Sequence, residues 1–192
     1  MGILDRDALA RMGFARIGSN VRLSDRASFY NCPGISIGDH VRIDDFCVLS
    51  AGSGGIDIGS YIHIAVYSSL MGRGVITLAD FCNISSRVSI YSSNDDYSGE
   101  WMSNPTVSDA YTGVTHADVT IGRHAIVGSG TVILPGSKLE DGTAIGALSL
   151  VKGRCEEFGI YAGVPLRRIG TRKRRLLELE ERFLAESQNN QN

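Results

Sequence analysis

The chain has 192 residues, 43% of them apolar, with 19 Lys and Arg set against 21 Asp and Glu. That near-neutral balance argues against a nucleic-acid partner, which needs a basic excess. No stretch approaches the ~18 consecutive apolar residues of a membrane helix, and the opening Met1-Gly2-Ile3-Leu4-Asp5-Arg6 lacks the apolar segment of a signal peptide, so a cytoplasmic protein is expected.

Gly2 to Gly13 reads as a short helix capping one end of the domain. From Ile17 a period of six takes over. Blocks open with Ile17, Leu23 and Phe29; with Ile37, Ile43 and Leu49; with Ile58, Ile64 and Leu70; and with Leu78, Ile84 and Ile90. The four sets start at 17, 37, 58 and 78, so each turn of three hexads carries two or three extra residues before the next start, at one corner. The period returns without a slip at Ile121, Val127, Ile133, Leu139, Ile145 and Val151. Each fifth position there is small, β-branched or Cys: Ala125, Thr131, Ser137, Thr143, Ser149 and Cys155.

A six-residue unit is too short for a helix pair or a hairpin. Three such units make one triangular coil, and stacked coils bury a core that one coil cannot. The pattern therefore predicts an all-β, left-handed parallel β-helix in a single domain of residues 1–192, with coils over 17–93 and 119–165. Glycine at second positions is expected to serve tight turn geometry. Cys47, Cys82 and Cys155 fall at fifth positions as small buried residues. Cys32 completes the set, and with no CxxC pair neither a zinc knuckle nor a disulfide framework is expected.

Residues 94–118 break the period and contain Asp95, Asp96, Tyr97, Trp101 and Tyr111. A long excursion from a regular solenoid usually carries function. Over 166–187, Leu176, Leu179 and Phe183 recur at helical spacing, which predicts an amphipathic C-terminal helix that caps the open end or packs on a neighbouring subunit. Residues 187–192 read as a frayed end.

With these features the sequence resembles the hexapeptide-repeat acyltransferases of the galactoside, maltose and xenobiotic acetyltransferase group. The stretches IGRHAIVGSGTVILPGSKLEDGTAIGALSLVKG (121–153) and YAGVPLRRI (161–169) carry the likeness. The resemblance implies a homotrimer with active sites between prisms, and acetyl-coenzyme A as co-substrate with no permanently bound cofactor. It further implies that Gly128, Ser129, Gly146, Ala147 and Ser149 line the pantetheine arm, with Lys152, Arg167, Arg168 and Lys173 near its phosphates. The catalytic histidine of the galactoside enzymes aligns with Asp95 here, and their acceptor-contacting Asn aligns with Tyr67. The segment YSSNDDYSGEWMSNP (91–105) is similar instead to bacterial O-antigen acetyltransferases that act on nucleotide-linked amino sugars.

The chemistry depends on the acceptor. A hydroxyl needs a base near neutral pKa, whereas an amine needs only to lose an ammonium proton. Asp95 and His116, the one histidine of the excursion, are the catalytic candidates; Asn94, Asp96, Trp101 and Tyr67 are the substrate-binding ones. The favoured expectation is N-acetylation of a nucleotide-linked amino sugar for surface polysaccharide. O-acetylation with His116 as base and a non-catalytic scaffold are the alternatives. A carbonic anhydrase on this prism would need three histidines on one metal, and no HxxxxH spacing exists, so no metal is expected.

Overall fold

The computed structural model describes residues 2–189. Among them the chain winds into a parallel β-helix with three sheets of seven, eight and six strands, plus a two-stranded hairpin outside them. Register follows the hexads. On the first face Ile17, Ile37, Ile58, Leu78, Ile121, Leu139 and Cys155 are successive partners. On the second the row is Leu23, Ile43, Ile64, Ile84, Val127, Ile145 and Tyr161. On the third it is Phe29, Leu49, Leu70, Ile90, Ile133 and Val151. These rows form the core, and nearly all their members are fully buried.

Two expectations need correction. The block after Val151 holds four residues rather than six, so Cys155 enters the opening row opposite Leu139, not a fifth position. The second-position glycines do not supply the left-handed residue of the corner. That residue is the fourth of the hexads that turn from the first face to the second, for example His40, Tyr61, Phe81 and His124, with φ between 56° and 59°. The second-position glycines are there because coils touch: a Cβ on Gly38 would lie 2.6 Å from Gly59 O, and one on Gly128 would lie 2.4 Å from Ala147 N. Fifth positions point inward as expected, and their hydroxyls are satisfied by main-chain carbonyls, Thr131 on Gly146 and Ser137 on Val151. Burial pushes the thiols of Cys47 and Cys155 up to about 11 and that of Cys82 to about 12.

Helix α1 (Arg6–Met12) covers the first coil with Leu9; Asp5 caps its start and left-handed Gly13 its end. The C-terminal expectation changes more. Arg167–Thr171 is a strand, not helix, and pairs antiparallel with Gly159–Ala162 to form a closing hairpin. Gly163, at φ 97°, and Pro165 turn the chain back and cannot sit inside a helix. Helix α2 spans Arg175–Asn189, so Ser187–Asn189 are helical, while residues 190–192 lie outside the described part.

Helix α2 does not cap the prism. It lies along the outer corner between the first and second faces, where fourth-position side chains stack. His40 lies on Tyr61 at 4.6 Å, Tyr61 on Phe81 at 4.8 Å and Phe81 on His124 at 5.1 Å. Coils repeat at about the 4.8 Å strand spacing, which is also a stacking distance for rings. Phe183 meets Tyr61 and Phe81 edge-on. Glu180 bonds His124 Nε2 at 2.5 Å and pairs with Arg123. His124 is therefore largely covered, its side chain only 12% exposed. Among the described residues no helix is long and apolar enough to cross a membrane.

Candidate active site

The excursion leaves the prism at the corner between the third and first faces, where the extra residues of earlier coils also fall. Its stem pairs Ser93–Asn94 with Thr115–His116 antiparallel, and Ser93 faces His116. Facing side chains on such a pair lie within about 5 Å, and Ser93 Oγ is 2.8 Å from His116 Nδ1. One coil below, the main-chain N–H of Arg73 donates to Ser93 Oγ at 2.7 Å. Beside the stem opens a cavity of about 330 Å³ whose lining includes Arg73, Ser93, Asp95, Asn104, Asp109 and His116. Larger open grooves lie at the two ends of the prism, and neither contains Asp95 or His116.

The fold thus brings Asp95 and His116 into one cavity. The other acceptor-side candidates are placed elsewhere. Asp96 is consumed by its own loop: its carboxylate accepts from Ser98 Oγ at 2.8 Å, and from the N–H groups of Ser98, Gly99 and Trp101. These bonds, the Ser98 hydroxyl foremost, hold its pKa below the usual carboxylate range. Asn94 turns its amide onto Asp95 O at 2.9 Å. Trp101, half exposed, packs over Gly113, where a Cβ would meet its ring at 2.5 Å. Tyr67 stacks on Phe46 at 5.0 Å beneath the guanidinium of Arg87, on the corner between the second and third faces.

That second corner also carries the donor-side candidates. Gly128, Ser129, Gly146 and Ala147 come directly after the second-face strands Ile126–Val127 and Ala144–Ile145 and make a wall of small residues, with Ser129 and Ala147 exposed. Ser149 does not join them. Its side chain is buried, its hydroxyl donates to Gly146 O at 2.7 Å and it accepts from Gly163 N. Lys152 is exposed directly after the third-face strand Leu150–Val151, one face on from the wall. Arg167 and Arg168 lie on the closing hairpin, and Arg168 is paired with Glu156 at 2.7 Å, which ties up a cation expected for phosphate.

Sequence reasoning missed Arg73 and Ser93. The signal was available: they stand 20 residues apart, one coil, so the repeat stacks them at the corner where the excursion begins. Among the described residues no group of three or more His, Cys, Asp or Glu is placed to hold a metal.

No family model matches the chain. A dTDP-4-amino-4,6-dideoxy-D-glucose acyltransferase of Escherichia coli is 57% identical over 183 residues, covering 95% of each chain. The crystal structure of AntD, an N-acyltransferase from Bacillus cereus in complex with dTDP and 3-hydroxybutyryl-CoA, superposes with a TM-score of 0.93 at 42% identity, over 97% of this chain and 98% of that one. Serine variants of AntD have also been solved with dTDP-4-amino-4,6-dideoxyglucose and coenzyme A, and aspartate variants with dTDP and coenzyme A. A protein of E. coli K12, named for O-acetyl transfer in lipopolysaccharide biosynthesis, is 29% identical over 116 residues, 59% of this chain and 56% of its own. With its β-helix, its excursion cavity and this likeness along nearly its whole length, the chain is an acyltransferase and belongs to the dTDP-4-amino-4,6-dideoxy-D-glucose acyltransferase family.

Proposed function

We propose that the protein transfers an acyl group from an acyl-coenzyme A to the 4-amino group of dTDP-4-amino-4,6-dideoxyglucose, and that it does so as a homotrimer in the cytoplasm. One observation carries the assembly. Asp95 and His116 meet in a cavity at the third–first corner, while the small-residue wall stands at the second–third corner, a whole face away. Side-by-side prisms set one chain's cavity against the next chain's wall. A serine and an aspartate ten positions apart have been varied in AntD. Ser85 and Asp95 reproduce that spacing and lie on different corners of this prism. Ser86 and Asp96 share the spacing, but Asp96 is committed to its loop.

The chemistry suits an amine. A carboxylate near pKa ~4 is a poor base for a hydroxyl, yet Asp95 can hold an ammonium group and take its proton directly or through water. The neutral nitrogen then attacks the thioester carbonyl carbon, its second proton passes to water, and collapse of the oxyanion breaks the C–S bond to release the coenzyme A thiolate. Thin pantetheine fits a wall of Gly128, Ser129, Gly146 and Ala147, with Lys152 for phosphate.

The test is thiol release from acetyl- and 3-hydroxybutyryl-coenzyme A with dTDP-4-amino-4,6-dideoxyglucose, beside the same sugar with a 4-hydroxyl. An alkali-stable amide and a trimer in sedimentation are expected. Turnover only with the hydroxyl sugar, or an active monomer, sinks the reading.

A further inference from the structure

The stem of the excursion fixes more than a position. Ser93 Oγ sits between two partners, the Arg73 N–H at 2.7 Å and His116 Nδ1 at 2.8 Å. A main-chain N–H only donates, so toward Arg73 the serine oxygen is an acceptor. Its own proton then has one protein partner in reach among the described residues, His116 Nδ1. When the serine donates there, Nδ1 is an acceptor and the neutral ring carries its proton on Nε2. In the opposite tautomer Ser93 would accept twice and leave its hydroxyl proton without a protein partner. The choice made by one ring nitrogen sets what the other presents. Nε2 has no protein partner among the described residues, and His116 lines the cavity that holds Asp95.

We propose that Ser93 holds His116 as the Nε2–H tautomer, so that His116 enters the reaction as a hydrogen-bond donor to the oxyanion of the tetrahedral intermediate and not as the general base. This role rests on the acyl-transfer reading and deepens it. Asp95 takes the amine proton. Electrons of the carbonyl π bond move onto oxygen as nitrogen attacks, and the His116 N–H stabilises that oxygen without surrendering its proton. Oxyanion collapse expels the thiolate, which is protonated from solvent. Ser93 is a positioning residue: it acts by setting the ring. The arrangement also explains how one cavity keeps both groups without redundancy, since the only basic nitrogen of the neutral ring is engaged in the stem by Ser93.

Two measurements decide it. In protein labelled with ¹⁵N-histidine, at a pH where the ring is neutral, His116 should show a protonated, pyrrole-type Nε2 and a pyridine-type Nδ1. The signal is assigned by its loss in His116→Gln, and Ser93→Ala should move it toward a tautomer mixture while Ser93→Thr restores it. A pyrrole-type Nδ1 in the unmodified protein overturns the proposal. The second measurement is kinetic. Glutamine places an amide N–H where Nε2–H stood but cannot act as a base. His116→Gln should stay within about tenfold of wild-type kcat, whereas His116→Ala loses about 10²–10³-fold, the range of one oxyanion donor. Equal and near-complete loss in both makes His116 the base. Weaker dTDP binding with kcat unchanged makes it a ligand of the nucleotide diphosphate. Either result overturns the proposal. The spectrum needs no substrate, so a failure of the tautomer is distinguishable from a failure of the acyl-transfer reading.

Discussion

Removing Phe183 should release α2 from the prism while leaving the coils intact. The ring contacts Tyr61 at 5.3 Å and Phe81 at 6.2 Å, both edge-on, and is 44% exposed. Truncating a buried Phe costs about 3–5 kcal/mol. Halving that for a half-buried ring gives about 1.5–2.5 kcal/mol, and part of an edge-to-face term of about 0.5–1.5 kcal/mol adds to it. A loss of about 2–3 kcal/mol in docking corresponds to roughly a 30- to 150-fold rise in the undocked population, at about 1.4 kcal/mol per decade. Hydrogen exchange reads this directly. Main-chain amides over 175–189 in Phe183→Ala should exchange faster by about that factor, while those of the core rows keep their protection. Unchanged exchange in α2 would refute the docking argument, because the Glu180 pairs with His124 and Arg123 would then suffice. Global loosening would refute it differently, by making the helix part of the cooperative core.

Ala147→Trp should fill the small-residue wall and weaken acyl-coenzyme A binding at least about tenfold in calorimetry, a loss of only ~1.4 kcal/mol, with the melting transition unchanged. Asp95→Asn should raise the KM for the amino sugar and lower kcat at neutral pH, with the kcat deficit shrinking in alkaline buffer as free amine accumulates; Asp96→Asn should instead speed exchange in its loop and leave the pH profile alone. Burial raises the pKa of Asp44, but hydrogen bonds from His63 and Arg42 outweigh it and hold the group below its ordinary value. Its stabilising contribution is therefore complete above about pH 4 and is lost as pH falls through the lowered folded value. Asp44→Asn should cost about 1–2 kcal/mol in urea denaturation at neutral pH, and the gap should narrow in acid. The thiols of Cys47, Cys82 and Cys155, raised to about 11 to 12, should resist alkylation in native protein at mildly alkaline pH and react on unfolding.

The coils were legible because a solenoid repeats one local rule, and a single phase error at Cys155 is what a shortened block produces. The C-terminal helix was legible as a helix but not as to where it goes: its dock is a row of rings contributed by residues 61, 81 and 124, which only the stacked coils bring together. Asp95 and Asp96 look alike in sequence. What separates them is which way each points from a tight loop, and that is set by the Ser98, Gly99 and Trp101 donors that Asp96 finds. Ser149 shows a related limit. In the family pattern it stands beside Ala147, yet the inward fifth position buries it under Gly163. Arg167 and Arg168 were read as the start of a helix because the helical spacing after them was extended backward as far as Leu166, just past Pro165.

The closing hairpin has a consequence for self-association. Every coil offers its neighbour a row of free main-chain donors and acceptors, so an open terminal coil is a growing tip onto which another copy could add strands without limit. Arg167–Thr171 runs opposite to the other strands of its sheet and occupies that tip on the second face, with three arginines, Arg167, Arg168 and Arg172, on or just after it. At the far end Ile3 makes an antiparallel bridge to Ser24 on the same face. A solenoid finished by a reversed strand at one end and an antiparallel bridge at the other resists polymerisation into filaments, even though its interior is built from the contacts that filaments use.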